Sequence, residues 1–269
     1  LTEVCANKYH VVTLMGGGMT DFGAGAAFVL GGSGALGGAI CAAFARAGVP
    51  VGLSYYKGAK AGEATADSLR ALGVEAMAVQ ANAGDRASVI AALDATAKRF
   101  GTIHSVVYAG GASFTPQFFS KTDESVWHDW LQHDLMGAIN LATAAIPYLR
   151  ETQGAFTALS TYQGDMIEVR GGPSAVSKAA VDRMVKVIAK EEGRNGVRAN
   201  TVRCGWIGTE GVEQLFVQMP HLREEKKKTV PLGRIGTPEE IGETVAFLSS
   251  RRAGFITGVN LTADGGESL

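Results

Sequence analysis

The sequence predicts a doubly wound α/β fold: one domain on a parallel sheet of about seven strands. Three observations carry that expectation. Short apolar runs alternate with helix-period stretches along almost the whole chain, the pattern of strands joined by crossover helices. The chain holds 36 glycines in 269 residues, about twice ordinary usage, yet 46% of its residues are hydrophobic. That combination excludes a disordered chain and implies a cored protein with many tight turns or close backbone approaches. No Pro/Ser-rich linker or internal repeat divides it.

In order, the apolar run at residues 26–30 ends in glycines and reads as the first strand. Residues 35–47 form a small-residue helix, 49–54 a strand, 59–72 a helix and 74–80 an alternating strand. A helix at 86–100 and a strand at 103–108 follow. One long helix is expected over 123–150, with Pro147 near its end. Then come a strand at 155–160, a helix at 174–193, a strand at 197–203, a helix at 238–249 and a strand at 258–262. The less regular stretch 205–236 is expected to cap the C-terminal ends of the strands, where such sheets bind ligands. Residues 1–18 lack the build of a signal peptide, and Met19 stands directly before the first element. They are expected to be a non-native or disordered extension, leaving 19–269 as the domain.

Bulk properties exclude several classes. Net charge is −1, so nothing favours nucleic acid or an acidic membrane. No apolar run approaches the ~18 residues of a membrane span. Cys5, Cys41 and Cys204 are odd in number and scattered, which points to a reducing, cytoplasmic setting. Neither they nor His104, His128 and His133 have metal-ligand spacing, so no metal is expected.

The chemistry begins at Gly31-Gly32-Ser33-Gly34-Ala35-Leu36-Gly37. Gly32, Gly34 and Gly37 have the spacing of a dinucleotide fingerprint, between a strand and a helix as that motif requires. The chain must turn tightly, the backbone must approach a pyrophosphate, and the helix N-terminus must present free N–H groups to it. A Rossmann-type dinucleotide-binding domain is therefore expected. The second strand ends in Ser54-Tyr55-Tyr56-Lys57, with no acid to bind a ribose diol. Lys57 can pair with a 2′-phosphate, which favours NADP (NADPH) over NAD, or it is an ordinary surface lysine.

The turn resembles the T-G-x3-G-x-G of the short-chain dehydrogenases/reductases, with Leu30 and Ala35 replacing the Thr and the middle Gly. Further marks occur in family order over residues 22–266. Val106-Val107-Tyr108-Ala109-Gly110-Gly111 falls where the family has N-N-A-G. Asn200-Thr201-Val202-Arg203-Cys204-Gly205 resembles N-x-V-x-P-G. Pro231-Leu232-Gly233-Arg234 and Ile256-Thr257-Gly258 resemble its C-terminal signature. The resemblance implies that Gly31, Ser33, Gly34, Leu36, Gly37, Asn82, Ala109, Gly110, Ile207 and Thr209 line the cofactor. It also implies a homodimer or homotetramer formed through the helices at 123–150 and 174–193.

The catalytic positions depart from the family, whose members share a Ser and a Tyr-x-x-x-Lys. Lys178 is present and is implied to bind the nicotinamide ribose. Ser174 stands in the Tyr position, Thr161 in the Ser position, and Asp134 where the family has a helix Asn. A serine hydroxyl is too weak an acid, and too short, to replace a phenol. The 2,4-dienoyl-CoA reductases show similar departures and a similar Gly208-Thr209-Glu210-Gly211 segment. That likeness implies hydride transfer to a conjugated enoyl or dienoyl thioester. Thr161 and Tyr162 would then meet the substrate oxygen, and Tyr162 or an Asp134-oriented water would supply the proton. A 3-oxoacyl or alcohol/ketone reductase, a lyase or isomerase using Ser174 and Lys178, and a non-catalytic cofactor-binding subunit are the competing readings. Equally, Tyr162 could simply pack under the cap, and Asp134 could simply pair locally.

Overall fold

The computed structural model describes residues 21–111, 116–164 and 166–269. The expectation for residues 1–18 lies outside them. Seven parallel strands, β1 (Ala26–Leu30), β2 (Val51–Tyr55), β3 (Ala76–Gln80), β4 (Ile103–Tyr108), β5 (Ala155–Thr161), β6 (Arg198–Cys204) and β7 (Asn260–Ala263), form one sheet in the order β3-β2-β1-β4-β5-β6-β7. The chain winds outward from β1 to β3, then returns to place β4 on the other side of β1. That reversal opens a crevice at the C-terminal ends of β1 and β4.

β1 shows why the strands read as continuous apolar runs. All five of its residues are buried, because both faces of the sheet are covered. Ala27 and Val29 enter one core with α1 (Ala35–Arg46), α2 (Ala59–Ala71) and α9 (Pro238–Ser249). Phe28 and Leu30 enter the other, with α3 (Arg86–Phe100), α5 (Gly137–Thr152) and α6 (Gly172–Glu192). Helix boundaries follow local chemistry. Asp85 caps α3 by accepting from the Ala87 N–H at 2.9 Å. Thr237 and Glu240 form a reciprocal capping box on α9, with Pro238 in its first turn.

The helix expected over 123–150 is interrupted. α4 (Glu124–Trp130) passes into a π-helical turn, Leu131–Met136, before α5 begins. Periodicity does not signal such a turn, because it adds one residue without ending the helix. The cap over 205–236 contains two helices, α7 (Glu210–Gln218) and α8 (Pro220–Thr229). No helix among the described residues is long and apolar enough to cross a membrane.

α1 and α9 cross closely at Gly242, where an added Cβ would stand 2.6 Å from the Ala39 carbonyl oxygen. Gly242→Val should therefore destabilise the protein by about 1–3 kcal/mol, read as a lower urea midpoint at unchanged slope.

Candidate active site

The crevice at the β1/β4 switch is a cavity of about 290 Å³. Its walls are the backbone turns that follow four strands: Gly31, Ser33 and Gly34 after β1, Tyr56 after β2, Asn82 after β3, and Ala109 and Gly110 after β4. Gly31 has φ +84°, and a Cβ there would meet the Ala109 carbonyl oxygen at 2.8 Å, so β1 and β4 approach closely only because this residue has no side chain. At Gly37 a Cβ would lie 2.1 Å from the Gly31 carbonyl oxygen, so this glycine lets α1 close onto the turn. Gly34 begins α1 with no side-chain cap. The first-turn N–H groups thus lie at the crevice without a side-chain acceptor, an arrangement suited to a phosphate. These features fit a dinucleotide.

Other expected cofactor residues take different places. Leu36 packs against the core, and Ile207 is buried in it. The Thr209 hydroxyl caps α7 by accepting from the Val212 N–H at 3.4 Å. Lys57 is exposed beside the crevice, its ammonium 5.2 Å from the Tyr56 ring centroid. Sequence reasoning missed Ser54. Its hydroxyl accepts the Gly31 N–H at 2.9 Å and ties the glycine turn to β2.

Beside the β4 turn, the structure brings Asp134 and Lys178 together. Asp134 Oδ1 lies 2.9 Å from Lys178 Nζ, and the carboxylate has no solvent exposure. Ser177 donates to Asp134 Oδ2 at 3.0 Å, and Lys178 donates to the Leu159 carbonyl at 3.2 Å. A Cβ on Gly111 would be 3.2 Å from Asp134 Oδ1, so the pair sits directly against the β4 turn. Ser177 was also missed. The signal was its place beside Lys178, but only the rotation set by the π turn makes the two meet. Ser174, one turn earlier and half-buried, accepts Ser177 Oγ on its carbonyl at 3.3 Å. Thr161 ends β5 opposite Cys204, and its hydroxyl accepts the Gln163 N–H at 3.4 Å. Burial pushes the Cys204 thiol up to about 12, against a smaller opposing effect of Lys178.

Two proton-transfer expectations need correction. The Tyr162 side chain is buried and its hydroxyl donates to Glu168, while the Trp206 indole donates to it at 3.0 Å. Burial and the Glu168 hydrogen bond hold this phenol far above its ordinary range, so it is a poor acid engaged under the cap. Asp134, lacking exposure, does not orient solvent directly. A proton it influences passes through Lys178 or Ser177.

Tyr162 belongs to a network that fastens the cap. Lys226 of α8 reaches Glu168 at 2.5 Å and Glu267 at 3.0 Å, with its ammonium 4.9 Å from the Trp206 ring centroid. Burial opposes both charges, yet the Lys226 hydrogen bond holds Glu168 below the usual carboxylate range. The two carboxylates likewise hold Lys226 above the usual lysine range. Among the described residues no cluster of His, Cys, Asp or Glu could hold a metal ion.

Fold and site together define a Rossmann-type dinucleotide enzyme with a buried lysine–aspartate pair at its cofactor crevice. Residues 32–268 match the family model described as enoyl-(acyl carrier protein) reductase. The chain is 30% identical over 241 residues to a 3-oxoacyl-[acyl-carrier-protein] reductase, FabG, of Staphylococcus aureus, covering 89% of this chain and 96% of that one. It is 32% identical over 244 residues to an L-fucose dehydrogenase of Oryctolagus cuniculus, covering 90% and 84%. A short-chain dehydrogenase/reductase from Serratia marcescens superposes with a TM-score of 0.86 at 26% identity, over 93% of this chain and all of that one. The chain belongs to the short-chain dehydrogenase/reductase family, and it is an oxidoreductase of the NAD(P)-dependent kind.

Lys226→Met should leave the buried Glu267 and the partly buried Glu168 without their cation and cost roughly 3 kcal/mol in urea denaturation. The pH dependence of the wild type follows from the same shifts. The depressed Glu168 contributes stability above its unfolded value, lost as pH falls through the carboxylate range. The raised Lys226 contributes below its unfolded value, lost as pH rises through its folded one. Protease resistance of the cap should therefore be flat from about pH 5 to about pH 10 and fall on either side.

Proposed function

We propose that the protein is an NADPH-dependent reductase of a conjugated enoyl or dienoyl thioester. The observation that carries this reading is the exchange at the proton-donor position. Ser174 stands there in place of a phenol, while the Lys178 ammonium is held by a buried carboxylate. A ketone reductase needs an acid against the carbonyl oxygen as the alkoxide forms. Conjugate reduction makes an enolate instead, whose charge needs only hydrogen-bond donors at the thioester oxygen, with protonation at carbon following.

Gly31, Ser33, Gly34 and the first turn of α1 would hold the pyrophosphate, Asn82 the adenine side, and Ala109, Gly110 and Lys178 the nicotinamide half. The bound reduced nicotinamide supplies the hydride. Thr161 Oγ1 donates to the thioester oxygen. Lys178 Nζ, kept in place by Asp134 and the Leu159 carbonyl, adds positive charge and delivers the proton to the α-carbon directly or through a water. Lys57 sets the preference for NADPH by pairing with its 2′-phosphate. The likeness to 3-oxoacyl reductases favours a second reading, reduction of a 3-oxoacyl thioester.

NADPH oxidation is followed with 2,4-dienoyl, 2-enoyl and 3-oxoacyl thioesters side by side. Turnover of an unsaturated thioester at least about tenfold above the 3-oxoacyl one is expected, a margin of about 1.4 kcal/mol in barrier. The reverse order would make the second reading correct, and tight NADPH binding with no turnover would make the chain a non-catalytic subunit. Lys57→Ala should weaken NADPH by about two- to fivefold while leaving NADH affinity unchanged, measured by fluorescence titration. Equal losses for both cofactors would remove Lys57 from the selectivity.

A further inference from the structure

The Asp134–Lys178 pair rests on a helix whose hydrogen bonding is irregular at that point. In an α-helix the Gly137 N–H would bond to the carbonyl four residues back, His133. Here it bonds to the carbonyls of Gln132 and Asp134 instead, as the π turn requires. The His133 carbonyl accepts from the Tyr108 hydroxyl. Tyr108 ends β4 and has no solvent exposure. Its hydroxyl is walled by two glycines: a Cβ on Gly137 would be 2.9 Å from it and one on Gly110 3.2 Å. The Lys178 ammonium lies 5.6 Å from the Tyr108 ring centroid. Burial first, and the Asp134 charge second, hold the phenol well above its ordinary range, so it stays protonated and donating.

We infer that Tyr108 is a positioning residue for the Asp134–Lys178 pair, its phenol replacing the helix's own donor at His133 and so holding the π turn that aims Asp134 at Lys178. A regular turn would rotate Asp134 by about 100° relative to α5. A partly buried carbonyl with no protein donor is costly, and Tyr108 is the side chain whose hydroxyl reaches it. Tyr108 comes from the strand that also supplies Ala109 and Gly110 to the crevice, which couples the aim of Asp134 to the cofactor floor. The inference rests on the reading of Lys178 and Asp134 as site residues.

The test compares Tyr108→Phe with wild type in the full chain. The variant should fold and bind NADPH within about threefold of wild type, while kcat falls about five- to tenfold at unchanged KM for the best thioester, the size expected from one hydrogen bond. Its crystal structure should show the Gly137 N–H returned to the His133 carbonyl and Asp134 beyond hydrogen-bond range of Lys178. An unchanged kcat, or a π turn that persists with Asp134 still on Lys178, overturns the inference. Gly137→Ala approaches from the other side: its Cβ would stand 2.9 Å from both the Ala83 Cβ and the Tyr108 hydroxyl, and the phenol is the longer side chain that must give way. It should give the same loss of kcat and the same loss of the pair, and retention of both would also overturn the inference. The structural comparison requires no turnover, so it decides on Tyr108 even if Lys178→Ala keeps wild-type activity and the functional reading fails.

Discussion

A carboxylate with no exposure to water cannot stand alone, and Asp134 sets the terms for everything around it. It is paired with Lys178, bonded by Ser177 and pressed against Gly111, so three separate parts of the chain meet on one side chain. α6 must present Ser177 and Lys178 together. β4 must end in residues small enough to let the pair approach. The helix between them must rotate to bring the carboxylate inward. Lys178 in turn donates to the backbone of β5, which fixes its ammonium relative to Thr161 at the end of that strand.

The second charged group, around Lys226, does different work. Tyr162, Glu168, Trp206, Lys226 and Glu267 satisfy one another, joining the loop after β5, the turn after β6, the cap and the C-terminal tail. One polar cluster therefore lies at the crevice and the other fastens the cap. That division explains why the tyrosine nearest the expected serine position in sequence is not the one beside Lys178. Tyr108 holds that place, from the end of β4.

Much of this was legible in residue order. The run at residues 26–30 is apolar throughout because both faces of the sheet are covered, while residues 103–108 read as a strand although His104 and Ser105 interrupt the apolar side chains. The glycine turn announced the crevice because close backbone approach admits few other residues. Lys178 and Asp134 could be placed by register against a family pattern. Their contact could not, since it depends on one extra residue within a helical turn whose polar and apolar spacing looks ordinary. That Tyr162 packs under the cap was one of two readings its position allowed; its partners, Glu168, Trp206 and Lys226, were not legible, because they are spread over some sixty residues and meet only when the cap folds down.

The π turn also lets a single rod serve two neighbours that a uniform helix could not fit at once. Before it, Trp127 packs on Phe119 and lies near Gly172 at the start of α6. After it, Asn140 and Leu141 are buried, with Asn140 bonded to the Ala83 carbonyl on the far side of the crevice. The inserted residue acts as a phase shift between the two contact stripes. Substitutions on the α4 stripe can then change its packing on Phe119 and the start of α6 without disturbing the register of the α5 stripe against the sheet, so the two halves of one continuous helix are free to vary separately.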